Sequence, residues 1–205
     1  MSKIVVVDYG MGNLRSVSKA LETLGADVRV SSDPKDVTGA AKLILPGVGA
    51  FPAAMAELSA RGLVAPIKAA ITSGTPYLGI CLGLQLLFET SDEGGGAQGL
   101  GLLRGRVRRF PVNGAASLKI PHMGWNQVQR HTDCRLLAGI PEDSFFYFVH
   151  SHYAEPADRS IVALETDYGG RFTSMVQQGN LYATQFHPEK SQSVGLKLLA
   201  NFIAL

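Results

Sequence analysis

A buried strand that turns abruptly into a helix around one cysteine, Thr75-Pro-Tyr-Leu-Gly-Ile-Cys81-Leu-Gly-Leu-Gln-Leu-Leu-Phe-Glu89, restricts the folds open to this chain more than any other stretch. Gly79 and Gly83 flank Cys81 as G-x-C-x-G. This is the thiol counterpart of the G-x-S-x-G elbow, where small neighbours permit a sharp turn that pushes a nucleophile out of the sheet. Such a turn aims the first helix amides, the positive end of the helix dipole, at the side chain, a setting that favours a thiolate. A free cysteine is otherwise most often a buried structural residue. Cys134 lies between Asp133 and Arg135, with neither glycines nor a strand before it, and is assigned no role.

The residues before the elbow predict strands alternating with helices. Lys3 to Val7 is an apolar, β-branched run ending at Asp8-Tyr9-Gly10, as expected of a strand buried on both faces. Leu14, Val17, Ala20, Leu21 and Leu24 then recur at helical spacing, Gly25 closes the helix, and Asp27 to Ser31 gives a second strand. A dinucleotide site at Gly10-Met-Gly12 fails, because Arg15 occupies the place of the third glycine and no acidic ribose partner ends the second strand. Lys42 to Leu45 predicts a third strand, running into Pro46-Gly-Val-Gly49-Ala-Phe51, whose glycines either present a backbone N–H outward or make a tight loop. Helices are expected over 53–60 and 63–73 before the elbow strand. The result is a mostly parallel central sheet with helices on both faces, and sites in such sheets lie beyond the carboxyl ends of the strands.

After Glu89 the pattern changes. Ser91-Asp-Glu93-Gly-Gly-Gly96 reads as a flexible loop, and the elbow helix is expected to reach Glu89. Short strands come next, over 105–110, 125–129, 145–153, 161–166, 173–177 and 181–186, with Gly179-Asn180 as a hairpin turn. They form an antiparallel extension that extends or flanks the parallel sheet and returns His187 to the first half. A closing helix over 192–205 carries a stripe of Val194, Leu198, Leu199, Phe202 and Ile203.

The chain of 205 residues suits one domain, 1–205, large enough to bury roughly 70% of its unfolded surface. A net charge of +2 puts no large field behind nucleic acid or anionic membrane as a partner. Arg104, Arg106, Arg108 and Arg109 are read as a solvated strand face. Two cysteines in unlike settings make neither a disulfide framework nor a Cys-based zinc site, so a reducing cytoplasm is the expected home. Lys3 runs straight into Ile4–Val7 and Asp8, too short for a signal-peptide core, and no apolar stretch approaches the length of a membrane span.

A cysteine nucleophile needs a base and a group to hold that base. Phe186-His187-Pro188-Glu189-Lys190 supplies both: Pro188 biases His187 toward extended backbone, which lets Glu189 lie beside the ring. A histidine at a strand end is usually structural, and spacing alone reads His122, His131, His150 and His152 that way. The combination of Pro46-Gly-Val-Gly49, Gly79-Ile-Cys81-Leu-Gly83 and His187-Pro-Glu189, in this order, resembles the class I, triad-type glutamine amidotransferases over the full length.

Within that family Asp8-Tyr-Gly-Met-Gly-Asn13, Pro121-His-Met-Gly-Trp-Asn126 and His187-Pro-Glu-Lys-Ser191 look like one branch, the glutaminase subunits serving histidine biosynthesis. The resemblance implies a triad of Cys81, His187 and Glu189, and an oxyanion hole from the Leu82 amide and the Val48-Gly49 peptide. It also implies glutamine contacts from Gly49, Gln85, Glu93, Ser151 and His152, with no cofactor and no metal. The implied partner of the heterodimer is a separate (β/α)₈-barrel cyclase that takes up ammonia and makes imidazole glycerol phosphate, with Asn13, Trp125 and Lys190 at or near the interface. Activity alone is expected to be low, the Val48 peptide being turned away until the partner binds its ligand. The competing readings are a glutaminase subunit of an anthranilate, aminodeoxychorismate or pyridoxal phosphate synthase, a cysteine hydrolase without ammonia transfer, and a non-catalytic binding protein of flavodoxin type.

Overall fold

The computed structural model describes residues 3–111 and 118–205. The first half runs β1 (Ile4–Val7), α1 (Leu14–Thr23), β2 (Val28–Ser31), α2 (Pro34–Thr38), β3 (Lys42–Gly47), α3 (Phe51–Ala60), α4 (Val64–Thr72), β4 (Tyr77–Cys81) and the single turn α5 (Leu82–Gln85). β1, β3 and β4 are buried at every position because helices cover both faces of their sheet. Alternate residues of a strand point to opposite faces. Val5, Val7, Leu43 and Leu45 accordingly share a core with Val37, Phe51, Leu58 and Ile67, while Ile4, Val6 and Ile44 share the other with Val17, Leu21, Leu198 and Phe202. The helix α2 lies outside the sequence expectation, although its start is local chemistry: Asp33 Oδ1 accepts the Lys35 N–H at 2.8 Å and Pro34 occupies the first turn.

The second half runs β5 (Phe88–Ser91), β6 (Ala97–Gln98), β7 (Leu103–Arg109), β8 (His122–Gln127), β9 (Gln129–Arg130), β10 (Phe145–His150), β11 (His152–Pro156), β12 (Val162–Asp167), β13 (Arg171–Gln178), β14 (Leu181–Thr184) and α6 (Gln192–Ile203). The main sheet has the order β2-β1-β3-β4-β14-β13-β11-β7-β5-β6, with β12 on β13 and β9 on β12, while β8 and β10 pair as a separate ribbon. It is parallel from β2 to β14 and antiparallel from β14 through β13 and β11 to β7. The hairpin at Gly179-Asn180 is as expected, and Asn180 Nδ2 ties it to the end of α4 and the loop before β4 through the carbonyls of Ile71 and Thr75. Of the expected stripe on α6, Leu198, Leu199 and Phe202 are buried, with Val194 and Ile203 partly so. Arg106 and Arg108 pair with Glu155 at 2.7 and 3.2 Å on an exposed strand face.

Several expectations are corrected, among them the strand over 125–129, which divides at Val128 into the end of β8 in the ribbon and β9 in the main sheet. The elbow helix ends at Gln85 rather than Glu89, because Phe88–Ser91 is drawn into the sheet as a parallel partner of β7. The expected strand over 145–153 divides at Ser151: β10 pairs with β8, and β11 pairs with β7, so the chain passes there from one sheet to the other. The stretch 91–96 is not a plain loop, since Ser91 ends β5 and Glu93–Gly95 form a 3-10 turn. Among the described residues no helix is long and apolar enough to cross a membrane.

Candidate active site

Strands β1, β3, β4 and β14 lie side by side and parallel, so the segments leaving their carboxyl ends converge: Asp8–Gly12, Pro46–Gly49, Cys81 and His187. Gly47 is in register with Cys81, and Thr184 with Ile80. Cys81 has φ 56° and ψ −107°. A non-glycine residue held in such a region stores strain on the order of 1–3 kcal/mol. Its two glycines are required by contact: a Cβ at Gly83 would overlap the Leu45 carbonyl oxygen, and one at Gly79 would meet the carbonyl of Gly83.

Pro188 leaves His187 extended, at φ −100° and ψ 97°, and its Nδ1 donates to Glu189 Oε1 at 2.8 Å. Both side chains are buried, 2% and 1% exposed. The His187 N–H donates to the Tyr147 carbonyl at 2.9 Å. Ser191 Oγ donates to the His187 carbonyl and accepts the Tyr147 N–H, which locks this turn onto β10. A carboxylate only accepts, so Nδ1 carries hydrogen and Nε2 is the nitrogen left for the sulfur. Nε2 and Glu189 Oε2 have no hydrogen-bond partner among the described residues. Burial works against protonating the ring, but the charge and contact of Cys81, then the hydrogen bond and charge of Glu189, raise its pKa well above the ordinary histidine value.

A cavity of about 300 Å³ opens over Cys81. Val48, Gly49, Leu82, Gln85, Glu93, Ser151 and His152 all line it. Gly49 has φ +100° and Val48 is 39% exposed at the cavity mouth. Glu93 holds the rim to α3 by accepting the Phe51 N–H at 2.8 Å. The passage between sheets is why Ser151 and His152 reach the cavity.

Sequence reasoning missed Tyr9, Gln185 and the hydrogen-bonding role of His122 and His150. Tyr9 is fully buried against Gly47, and burial first, then the charge of Cys81, raises its phenol pKa. Met11 Cε lies 2.8 Å from where a Cβ of Gly49 would stand, so the loop after β1 props the Pro46–Gly49 loop. Gln85 Nε2 donates to the His152 carbonyl at 2.9 Å and to Gln185 Oε1 at 3.0 Å, and Gln185 Nε2 lies 3.6 Å from Cys81 Sγ. His150 Nδ1 lies 2.8 Å from that same carbonyl, so it donates; its Nε2 then accepts from His122 Nδ1 at 2.9 Å, and His122 Nε2 accepts from Asn126 Nδ2 at 3.2 Å. Burial pushes His122 down to about 4 and His150 to about 3, so both rings are neutral near pH 7. Polar residues inside otherwise apolar strands, Gln185 in Leu181–Phe186 above all, were the available signal.

Trp125, 46% exposed, faces Tyr147 across the β8–β10 ribbon, and Lys190 Nζ lies 5.7 Å from the Tyr147 ring centre. Met123 and Phe145 on this ribbon are exposed as well, 62% and 53%. Asn13 immediately precedes α1 without capping it through its side chain.

A strained cysteine, a buried histidine–glutamate pair and a glycine loop at the carboxyl ends of parallel strands are the arrangement of a thiol-dependent acyl-transfer centre. The chain belongs to the class-I glutamine amidotransferase family, whose family model matches residues 5–205. Within it, the chain is similar to imidazole glycerol phosphate synthase subunit HisH of Moorella thermoacetica, 54% identical across 98% of this chain and 94% of that one. It is also similar to the HisH subunit of Aquifex aeolicus, 53% identical across 98% and 95%. Among solved structures, PurLQS from Thermotoga maritima superposes with a TM-score of 0.76 at 20% identity, covering 100% of this chain and 99% of that one, a likeness of fold.

Proposed function

We infer that this chain is the glutaminase subunit of imidazole glycerol phosphate synthase, releasing ammonia from L-glutamine for a separate (β/α)₈-barrel cyclase subunit in histidine biosynthesis. The observation that carries the chemistry is the strained Cys81 on the cavity wall, with the buried His187–Glu189 pair, itself outside the cavity lining, against its sulfur. The identity of 51–54% to HisH subunits over nearly the whole chain supports the acceptor.

Glutamine lies with its side-chain amide over Cys81, held by Gly49, Gln85, Glu93, Ser151 and His152. The sulfur attacks the amide carbon, and the oxyanion is received by the N–H of Leu82, the first of α5 and without an intrahelical acceptor, and by the Val48-Gly49 peptide. His187, protonated and held by Glu189, gives its Nε2 proton to the departing nitrogen, and ammonia leaves. The now neutral ring takes a proton from water, which attacks the thioester and frees glutamate and the thiol. In water at neutral pH ammonia is mostly ammonium, which has no lone pair with which to attack, so the product must pass to the partner through a dry route. The exposed apolar ribbon with Trp125, together with Lys190 and Asn13, forms the face toward that partner. On this reading residues 1–205 are one glutaminase domain working in the cytosol, where its two unpaired cysteines suit a reducing medium.

The test is Cys81→Ala in the complex with the cyclase. Glutamine-driven synthesis is expected to vanish while synthesis from added ammonium salt continues at the wild-type rate. Loss of both, or persistence of the glutamine-driven reaction, overturns the division of labour.

A further inference from the structure

The orientation of the buried network around Cys81 is set by one atom, the carbonyl oxygen of His152. A backbone carbonyl accepts and never donates, so Gln85 must turn its amide nitrogen toward it, at 2.9 Å. The same nitrogen lies 3.0 Å from Gln185 Oε1 and donates its other hydrogen there. Gln185 therefore faces Cys81 with its own nitrogen, 3.6 Å from Sγ, as a donor. Gln185 is fully buried. Reversing its amide would set two N–H groups against each other and an oxygen against the sulfur, at a side chain with no exposed surface.

We propose that Gln185 is a positioning residue of the glutaminase centre: its oxygen holds Gln85 at the cavity wall while its nitrogen donates to the Cys81 sulfur. One planar amide thus sets the spacing between the substrate seat and the nucleophile. The proposal rests on the glutaminase reading above and adds to it a residue outside the triad, the oxyanion hole and the substrate contacts. It also gives a reason for the buried amide two positions before His187, just past the end of β14.

Two near-isosteric variants separate the two halves of the amide. Gln185→Glu keeps an acceptor for Gln85 but replaces the donor facing the sulfur; Gln185→Met removes both. In the complex with the cyclase, Gln185→Glu is expected to lower the glutaminase kcat at least tenfold with KM for glutamine within threefold of wild type. Gln185→Met is expected to raise KM at least tenfold as well. Alkylation of Cys81 by iodoacetamide at pH 7, which needs no substrate, should slow at least fivefold in both, with ammonium-driven synthesis within twofold of wild type as the sign of an intact fold and complex. Wild-type alkylation rates in both variants would make Gln185 a core residue and overturn the proposal. If instead the wild-type complex released no ammonia from glutamine, the glutaminase reading would fall, while the alkylation comparison would still decide whether Gln185 acts on the sulfur.

Discussion

At Cys81 a local motif and its tertiary setting can be separated cleanly. The G-x-C-x-G spacing announced a sharp turn, and the positive φ of Cys81 is that turn. Which atoms forbid a larger neighbour was not legible, because the obstacle at Gly83 is the Leu45 carbonyl of β3, distant in sequence. Since that obstacle is backbone inside a parallel sheet, it cannot swing aside as a side chain could. Gly83→Ala is therefore expected to destabilise the chain by about 3 kcal/mol or more, read as a lowered urea midpoint, and to reduce glutaminase activity in whatever fraction still folds. An unchanged midpoint would mean that β3 and α5 yield more easily than their contact implies. The His187–Glu189 pair was also legible from its spacing, although the 3-10 turn over Pro188–Lys190, rather than extended chain, brings the carboxylate to the ring. The donor facing the sulfur was not, because nothing local ties Gln185 to Cys81.

At the scale of elements, the first half was readable because continuous apolar runs and helical stripes each admit one solution between two covered faces. The second half was less so. Phe145 to Tyr153 looks like one strand, and only its partners divide it, β8 on one side of Ser151 and β7 on the other. Between these elements lies the neutral pair His122 and His150, packed with Phe110, Phe148 and Tyr168. Both have folded pKa values below the unfolded value of about 6.5. The unfolded chain therefore binds more protons between about pH 6.5 and the folded values, and stability falls as pH drops through that window. Each histidine contributes about 1.4 kcal/mol per pH unit, so from pH 7 to pH 5 the pair should cost roughly 4 kcal/mol, offset by about 1 kcal/mol from His187, whose raised folded pKa makes the folded chain the better proton acceptor at that site. Urea unfolding at the two pH values checks this, in a range where most carboxylates remain ionised. A flat profile would show that the folded chain takes up protons at these rings as readily as the unfolded one, so that burial does not hold them neutral.

For the molecule as a whole, the Trp125 ribbon stands apart from the main sheet with its apolar side exposed, and β10 ties it directly to the His187 turn through Tyr147. Truncating a central exposed aromatic of such a face commonly costs more than 1 kcal/mol of binding. Trp125→Ala is accordingly expected to weaken pairing with the cyclase about tenfold by titration calorimetry, while leaving iodoacetamide alkylation of Cys81 in the free chain unchanged. Equal affinity would move the interface elsewhere. The amino-acid order by itself determined the parallel, doubly covered half of the fold, the strained cysteine, and the histidine held by its own glutamate, since each is a matter of spacing within a few residues. Only the tertiary structure decided that strands β1, β3, β4 and β14 end together, that the chain changes sheets at Ser151, and that Gln185 bridges Gln85 to the sulfur. Those are contacts between residues far apart along the backbone, and their geometry exists only once the sheet has closed around them.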